Sequence, residues 1–197
     1  MKLPIFLILL TVGFFLQAKE AKPNIILLMG DDHGWEEVGY NGHPYVKTPN
    51  LDKMASAGLR LDNFYAQPSC SPTRGSVLTG RHPNRYGIFR PGYSIRPKEI
   101  TIAHLLKDAG YATAHYGKWH LAGGGPGEHG YDEHDGDTGN KDAVPFKDPN
   151  PVDIVGMGNR ANTFMAKSVK AGKPFFIQLS YHALHYPENA LEKTKAK

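Results

Sequence analysis

Three apolar runs, each ending in polar residues able to do chemistry, constrain the fold of this 197-residue chain more than any other feature. Residues 24–29 run into Gly30-Asp31-Asp32, residues 111–116 into Gly117-Lys118-Trp119-His120, and residues 174–180 into a segment that carries His182 and His185. Short continuous apolar runs of this kind read as strands, and the first is expected to be buried on both faces of a parallel sheet. Helix-like segments alternate with the strands. That order predicts an α/β fold, a mainly parallel sheet sandwiched by helices. Open sheets of this class bind ligands outside the carboxyl ends of their strands, so two acids, a Lys with a His, and two more His are expected at one site.

Between the strands the punctuation is readable. Thr48 is an expected N-cap with Pro49 at the first helical position, Leu51, Met54 and Ala55 on one face and Gly58 as the stop. Residues 59–65 predict a short strand, and a short helix follows from about Pro72 to Thr79, stopped by Gly80. Ile102, Leu105, Leu106 and Ala109 fall at helical spacing before Gly110, and residues 160–170 place Phe164, Met165 and Val169 the same way. Seven glycines between Gly123 and Gly139, mixed with acids and histidines, predict a surface excursion that forms no element.

A chain that is 40% hydrophobic and 21% charged with one Cys is neither disordered nor a disulfide scaffold. Its one long apolar run follows Lys2, spans residues 3–16 and ends near Gln17-Ala18. This layout predicts a signal peptide over residues 1–18, too short for a spanning helix, and hence an exported protein, periplasmic or extracellular, with no stable membrane anchor. The net charge of +4 suits an acidic substrate or polymer. The basic residues are dispersed and accompany no nucleic-acid-binding motif, so no nucleic-acid partner is expected.

Asp31 and Asp32 place two carboxylates together at a strand end. They read either as ligands of a hard divalent cation or as a turn with a helix cap. Cys70 reads either as an inert side chain or, in Cys70-Ser71-Pro72-Thr73-Arg74, as a group at a helix entrance where amide dipoles and a guanidinium favour an anion.

At these residues the chain resembles the type I, formylglycine-dependent sulfatase family of the alkaline-phosphatase-like superfamily. Residues 68–80, Pro-Ser-Cys-Ser-Pro-Thr-Arg-Gly-Ser-Val-Leu-Thr-Gly, are similar throughout to the family signature C-x-P-x-R followed by an apolar pair and T-G. The opening strand with Asp31-Asp32, the Thr48-Pro49-Asn50-Leu51-Asp52 helix start, Gly117-Lys118-Trp119-His120 and the strand leading to His185-Tyr186-Pro187 also match in order and spacing. The resemblance implies that Cys70 is oxidised by a formylglycine-generating enzyme and that the hydrated aldehyde is the nucleophile. It implies Ca2+ held by Asp31, Asp32 and the Cys70-derived oxygen. It also implies that Arg74 fixes the hydrate, Lys118 contacts the sulfate and the leaving oxygen, His120 assists the second hydroxyl, and His185 binds sulfate and protonates the departing alcohol. His182 is expected to be a structural hydrogen-bonder.

The implied substrate is a sulfated small molecule or polysaccharide, such as a sulfated sugar or an aryl sulfate. Members of the family are longer than this chain. Their Asp-Asn pair and a further sulfate-binding Lys come from a later region, so residues 19–197 are expected to be the N-terminal part of the catalytic domain, incomplete at the C-terminal side. Residues 188–197 resemble a helix start cut short. The alternative expectation is a truncated, catalytically incomplete remnant that binds an anion or metal weakly.

Overall fold

Four of the apolar or glycine-flanked segments become strands of one sheet: β1 (Ile25–Met29), β2 (Ala112–Gly117), β3 (Glu133–His134) and β4 (Phe175–Ser180). The computed structural model describes residues 21–143 and 154–186; the predicted signal peptide, Pro187 and the expected helix start at 188–197 lie outside them. The strand order is β1-β4-β2-β3 and every pairing is parallel. The last described strand is thus inserted between the first two. Ser180 is in register with both Met29 and Gly117, so three strand ends emerge level at one edge of the sheet.

β4 is buried at all six positions and its side chains alternate between two cores. Phe175, Ile177 and Leu179 pack with Ala114 and Tyr116 of β2 against Met157, Ala161 and Phe164 of α5 (Ile154–Lys170). Phe176 faces the other way, into a core with Leu78 of α2 (Cys70–Thr79), Tyr86 of α3 (Pro83–Tyr86), Ala103 of α4 (Ile102–Asp108), Trp119 and Tyr131. Helices therefore cover both faces, as the alternation of segments predicts. Thr101 caps α4 by accepting the His104 N–H, and Gly110 follows it at φ 87°. α1 (Pro49–Ala57) starts after Thr48, whose hydroxyl accepts from Gly39 N and donates to Asp52 instead of capping an N–H of the first turn.

Four expectations need correction. β1 is not buried on both faces: Ile25 and Leu27 pack on the core, whereas Ile26 and Leu28 are about half exposed and belong to neither core cluster of the described residues. Residues 59–65 form no strand; Leu59, Leu61, Phe64 and Tyr65 are exposed and no neighbouring strand receives them. The glycine-rich segment is more than a surface excursion, since it contributes β3 and buries His129 and Tyr131. Finally, α5 starts six residues before Arg160, where Gly156 and Gly158 weaken the helical pattern.

Candidate active site

The level strand ends are joined by backbone bonds that fix the residues following them. Tyr181 N donates to Met29 O at 2.9 Å, Lys118 N to Ser180 O at 2.8 Å, Asp31 N to Ala183 O at 3.0 Å, and Leu184 N to Asp31 O at 2.6 Å. Gly117 permits this closeness. It sits at φ 91°, and a Cβ there would lie 2.1 Å from Ser180 O.

Asp31 is the electrostatic centre of the cluster. Its carboxylate is paired with the Lys118 ammonium on one oxygen and with Arg74 Nη2 at 3.2 Å on the other, and all three residues are buried. Burial alone raises the Asp31 pKa; Arg74 and Lys118 outweigh it and hold the carboxyl below its usual range. Arg74 also donates Nη1 to Lys118 O at 2.6 Å, so α2 is bolted to the residue after β2. A buried three-charge cluster of this kind is worth keeping mainly while every member is present.

Cys70 stands at the first position of α2, two residues earlier than the helix start the sequence predicts. Thr73 N closes the first turn onto Ser69 O at 3.1 Å. Cys70 Sγ lies 3.2 Å from His120 Nδ1, and Ser71 Oγ donates to His120 O at 2.7 Å. Burial, then Lys118 and Arg74, push the His120 pKa down to about 4, so its imidazole is neutral near pH 7 and can accept a proton. Asp32 and His120 hold left-handed backbone conformations, φ 55° and 57°. Such conformations cost roughly 1–2 kcal/mol per residue, less for Asp, and concentrate at functional sites.

A pocket of about 210 Å³ is lined by Asp31, Asp32, Cys70, Thr73, Arg74 and neighbours. Lys118, His120 and His185 do not line it but each adjoins a residue that does. Lys118 reaches the pocket through Asp31, His120 through Cys70, and His185 through Asp32, with His185 Nε2 3.7 Å from Asp32 Oδ2. All seven residues singled out in the sequence are thereby joined in one cluster. His182 Nε2 donates to the Gly139 carbonyl at 3.2 Å. Sequence reasoning missed Ser71, a variable position of the signature whose hydroxyl secures His120.

Among the described residues no three Cys, His, Asp or Glu side chains converge closely enough to enclose a metal. Asp31 and Asp32 both line one pocket with hard carboxylate oxygens, which suit Ca2+ in kind and make up a part of the roughly six to eight oxygens it takes, with both Asp31 oxygens shared with Lys118 and Arg74.

A helix N-terminus, a buried arginine and adjacent carboxylates meet at the carboxyl edge of a parallel sheet, the edge at which open α/β sheets bind their ligands. The family model described as Sulfatase matches residues 23–197, and the chain belongs to that family. N-acetylgalactosamine-6-sulfatase from Mus musculus is 40% identical over 146 residues, covering 66% of this chain and 28% of the mouse protein. The structure of Ps i-CgsB with k-i-k-neocarrahexaose superposes with a TM-score of 0.76 at 28% identity, over 89% of this chain and 48% of that one. BT4656 in complex with its substrate D-glucosamine-2-N,6-O-disulfate gives 0.71 at 30% identity, over 83% and 35%. An alkaline phosphatase superfamily protein from Vibrio parahaemolyticus shares the fold, with a TM-score of 0.57 at 24% identity over 86% and 42%. The chain thus spans less than half the length of each of these proteins.

Proposed function

We propose that the protein hydrolyses sulfuric esters, R-O-SO3−, through a formylglycine made from Cys70. The observation that carries this reading is the placement of Cys70 at the start of α2, 3.2 Å from a neutral imidazole and in one pocket with Arg74 and two carboxylates. When present, the formylglycine supplies a hydrated aldehyde, one hydroxyl to attack sulfur and a second to expel sulfate by cleaving the carbon–oxygen bond. A Ca2+ held by Asp31 and Asp32 supplies Lewis-acid withdrawal of charge from the sulfate.

The chain's own residues do the rest. Arg74 and the α2 amide dipoles attract the ester's negative charge to the pocket wall. Asp31 stays ionised between Arg74 and Lys118, and that pairing fixes the guanidinium at the nucleophile's base. Lys118, through its pairing with Asp31, adds positive charge behind the pocket wall, His120 assists the second hydroxyl at Nδ1, and His185 delivers a proton to the departing alcohol. The substrate class is a sulfated sugar, polysaccharide or aryl sulfate. It is supported by the relative named for N-acetylgalactosamine-6-sulfate chemistry and by the neighbour bound to a disulfated glucosamine. Export follows from the apolar run after Lys2, and a formylglycine-generating enzyme is the required modifying partner.

The test is turnover by the full-length protein, co-expressed with a formylglycine-generating enzyme, on an aryl sulfate and on a 6-O-sulfated amino sugar. Sulfate release that is lost in Cys70→Ala supports the proposal. Release that survives Cys70→Ala contradicts it.

A further inference from the structure

The backbone from 117 to 120 carries both Lys118 and His120, and its polar groups are almost completely spoken for. Lys118 N and O bond to Ser180 O and Arg74 Nη1, and His120 O accepts from Ser71 Oγ. The other partners come from the glycine-rich segment. Gly117 N donates to Asp135 Oδ2 at 2.8 Å. Thr138 Oγ1 donates to Gly117 O at 2.6 Å and accepts from Trp119 N at 2.9 Å, while Thr138 O accepts from His120 N at 2.7 Å. Thr138 alone therefore closes three bonds around a four-residue segment.

Such a clamp has physical work to do. His120 sits at φ 57°, a conformation that a β-substituted residue leaves unless its surroundings over-determine it. The Thr138 carbonyl grips the His120 N–H itself, and the Thr138 hydroxyl bridges the peptide groups on either side of Lys118 by donating to Gly117 O and accepting from Trp119 N. A hydroxyl can do both at once, and an isosteric methyl can do neither. β3, paired with β2 through Ala114 and Glu133, ties this segment to the sheet, so the clamp is anchored and not a free loop.

We propose that Thr138 is a positioning residue that, through its bonds to 117, 119 and 120, holds His120 in its left-handed conformation with Nδ1 against residue 70. This rests on the reading of Cys70 and His120 as the reacting pair. Thr138 touches neither substrate nor nucleophile and acts only through His120 and, secondarily, Lys118.

The experiment uses the full-length protein and compares wild type with T138V and T138S in two readouts: steady-state turnover of an aryl sulfate, and hydrogen exchange of the Trp119 and His120 amides. T138V is expected to lower kcat by about 10- to 100-fold, the scale of a small misplacement of a reacting group. KM changes by less than about threefold, as expected where an interaction serves the reaction and not substrate binding. The Trp119 amide is expected to exchange about fivefold faster or more, as befits one lost hydrogen bond. T138S, which keeps the hydroxyl, is expected to restore kcat and amide protection together. Should T138V not fold, Thr138→Ala is read in the same way.

T138V with wild-type kcat, equal losses in T138V and T138S, or unchanged Trp119 exchange would each overturn the proposal. Wild-type protein with no sulfatase turnover would instead overturn the hydrolase reading, and the exchange data would still decide whether Thr138 clamps the segment.

Discussion

Asp31 is the residue on which the stability and the chemistry of the site meet. Two cations, Arg74 and Lys118, share its carboxylate out of contact with water. Removing one partner from such a group leaves charges that the interior cannot solvate, a loss of about 3–5 kcal/mol. Asp31→Asn is therefore expected to destabilise the folded protein by about that amount in urea denaturation, besides ending turnover. A variant that loses turnover with less than about 1 kcal/mol of stability would assign Asp31 to substrate or metal chemistry alone. Asp32 behaves differently: its side chain is more than half exposed, and it shares no ion pair with Arg74 or Lys118 among those described.

At the scale of elements, β2 carries a second buried titratable group. His115 lies beneath the strand ends, where Nε2 is 3.2 Å from Ser180 Oγ and the ring meets Trp119 and Tyr131 edge-on. Burial, reinforced by Arg74, pushes its pKa down to about 3 from 6.5. Above pH 6.5 the folded and unfolded states both hold it neutral. Below that, the unfolded chain takes up a proton the folded chain refuses, so stability falls by about 1.4 kcal/mol per pH unit until the folded pKa is reached. Between pH 6 and 4.5 His115 is thus expected to account for about 2 kcal/mol of acid destabilisation, and His115→Gln to flatten the measured slope by that amount. An unchanged slope in the variant would show that His115 is protonated readily in the folded state.

The elements that position the site were legible where apolar runs met punctuation. β1 and β4 ended where Gly30 and Tyr181 predicted, β2 ran one residue further to include Gly117, and Gly80 and Gly110 closed α2 and α4. The glycine-rich segment hid its structure because β3 is two residues long and the segment is anchored in the core by two rings, His129 and Tyr131, with no periodicity around them. The opposite error at 59–65 has the same origin: apolar residues at strand-like spacing form a strand only where a neighbour accepts their hydrogen bonds. That Cys70, Arg74, Lys118 and His120 come together was legible from local motifs, whereas the bonds of Thr138 were not, since they run to backbone groups that no side-chain pattern records.

For the whole molecule, three of the four parallel strands end level at one edge of the sheet, and the chain carries a net charge of +4, which on the proposed reading favours an anionic ester. The carboxylates at that edge suit Ca2+ in kind, so exhaustive chelation of the full-length protein is expected to abolish turnover and Ca2+ to restore it; turnover that persists after chelation would remove the metal from the account. The central claim is chemical and sits at one residue. Mass analysis of the tryptic peptide 61–74, taken from protein produced with a formylglycine-generating enzyme, measures it directly. An aldehyde in place of the Cys70 thiol is the predicted result, and a peptide that carries only unmodified cysteine would contradict it.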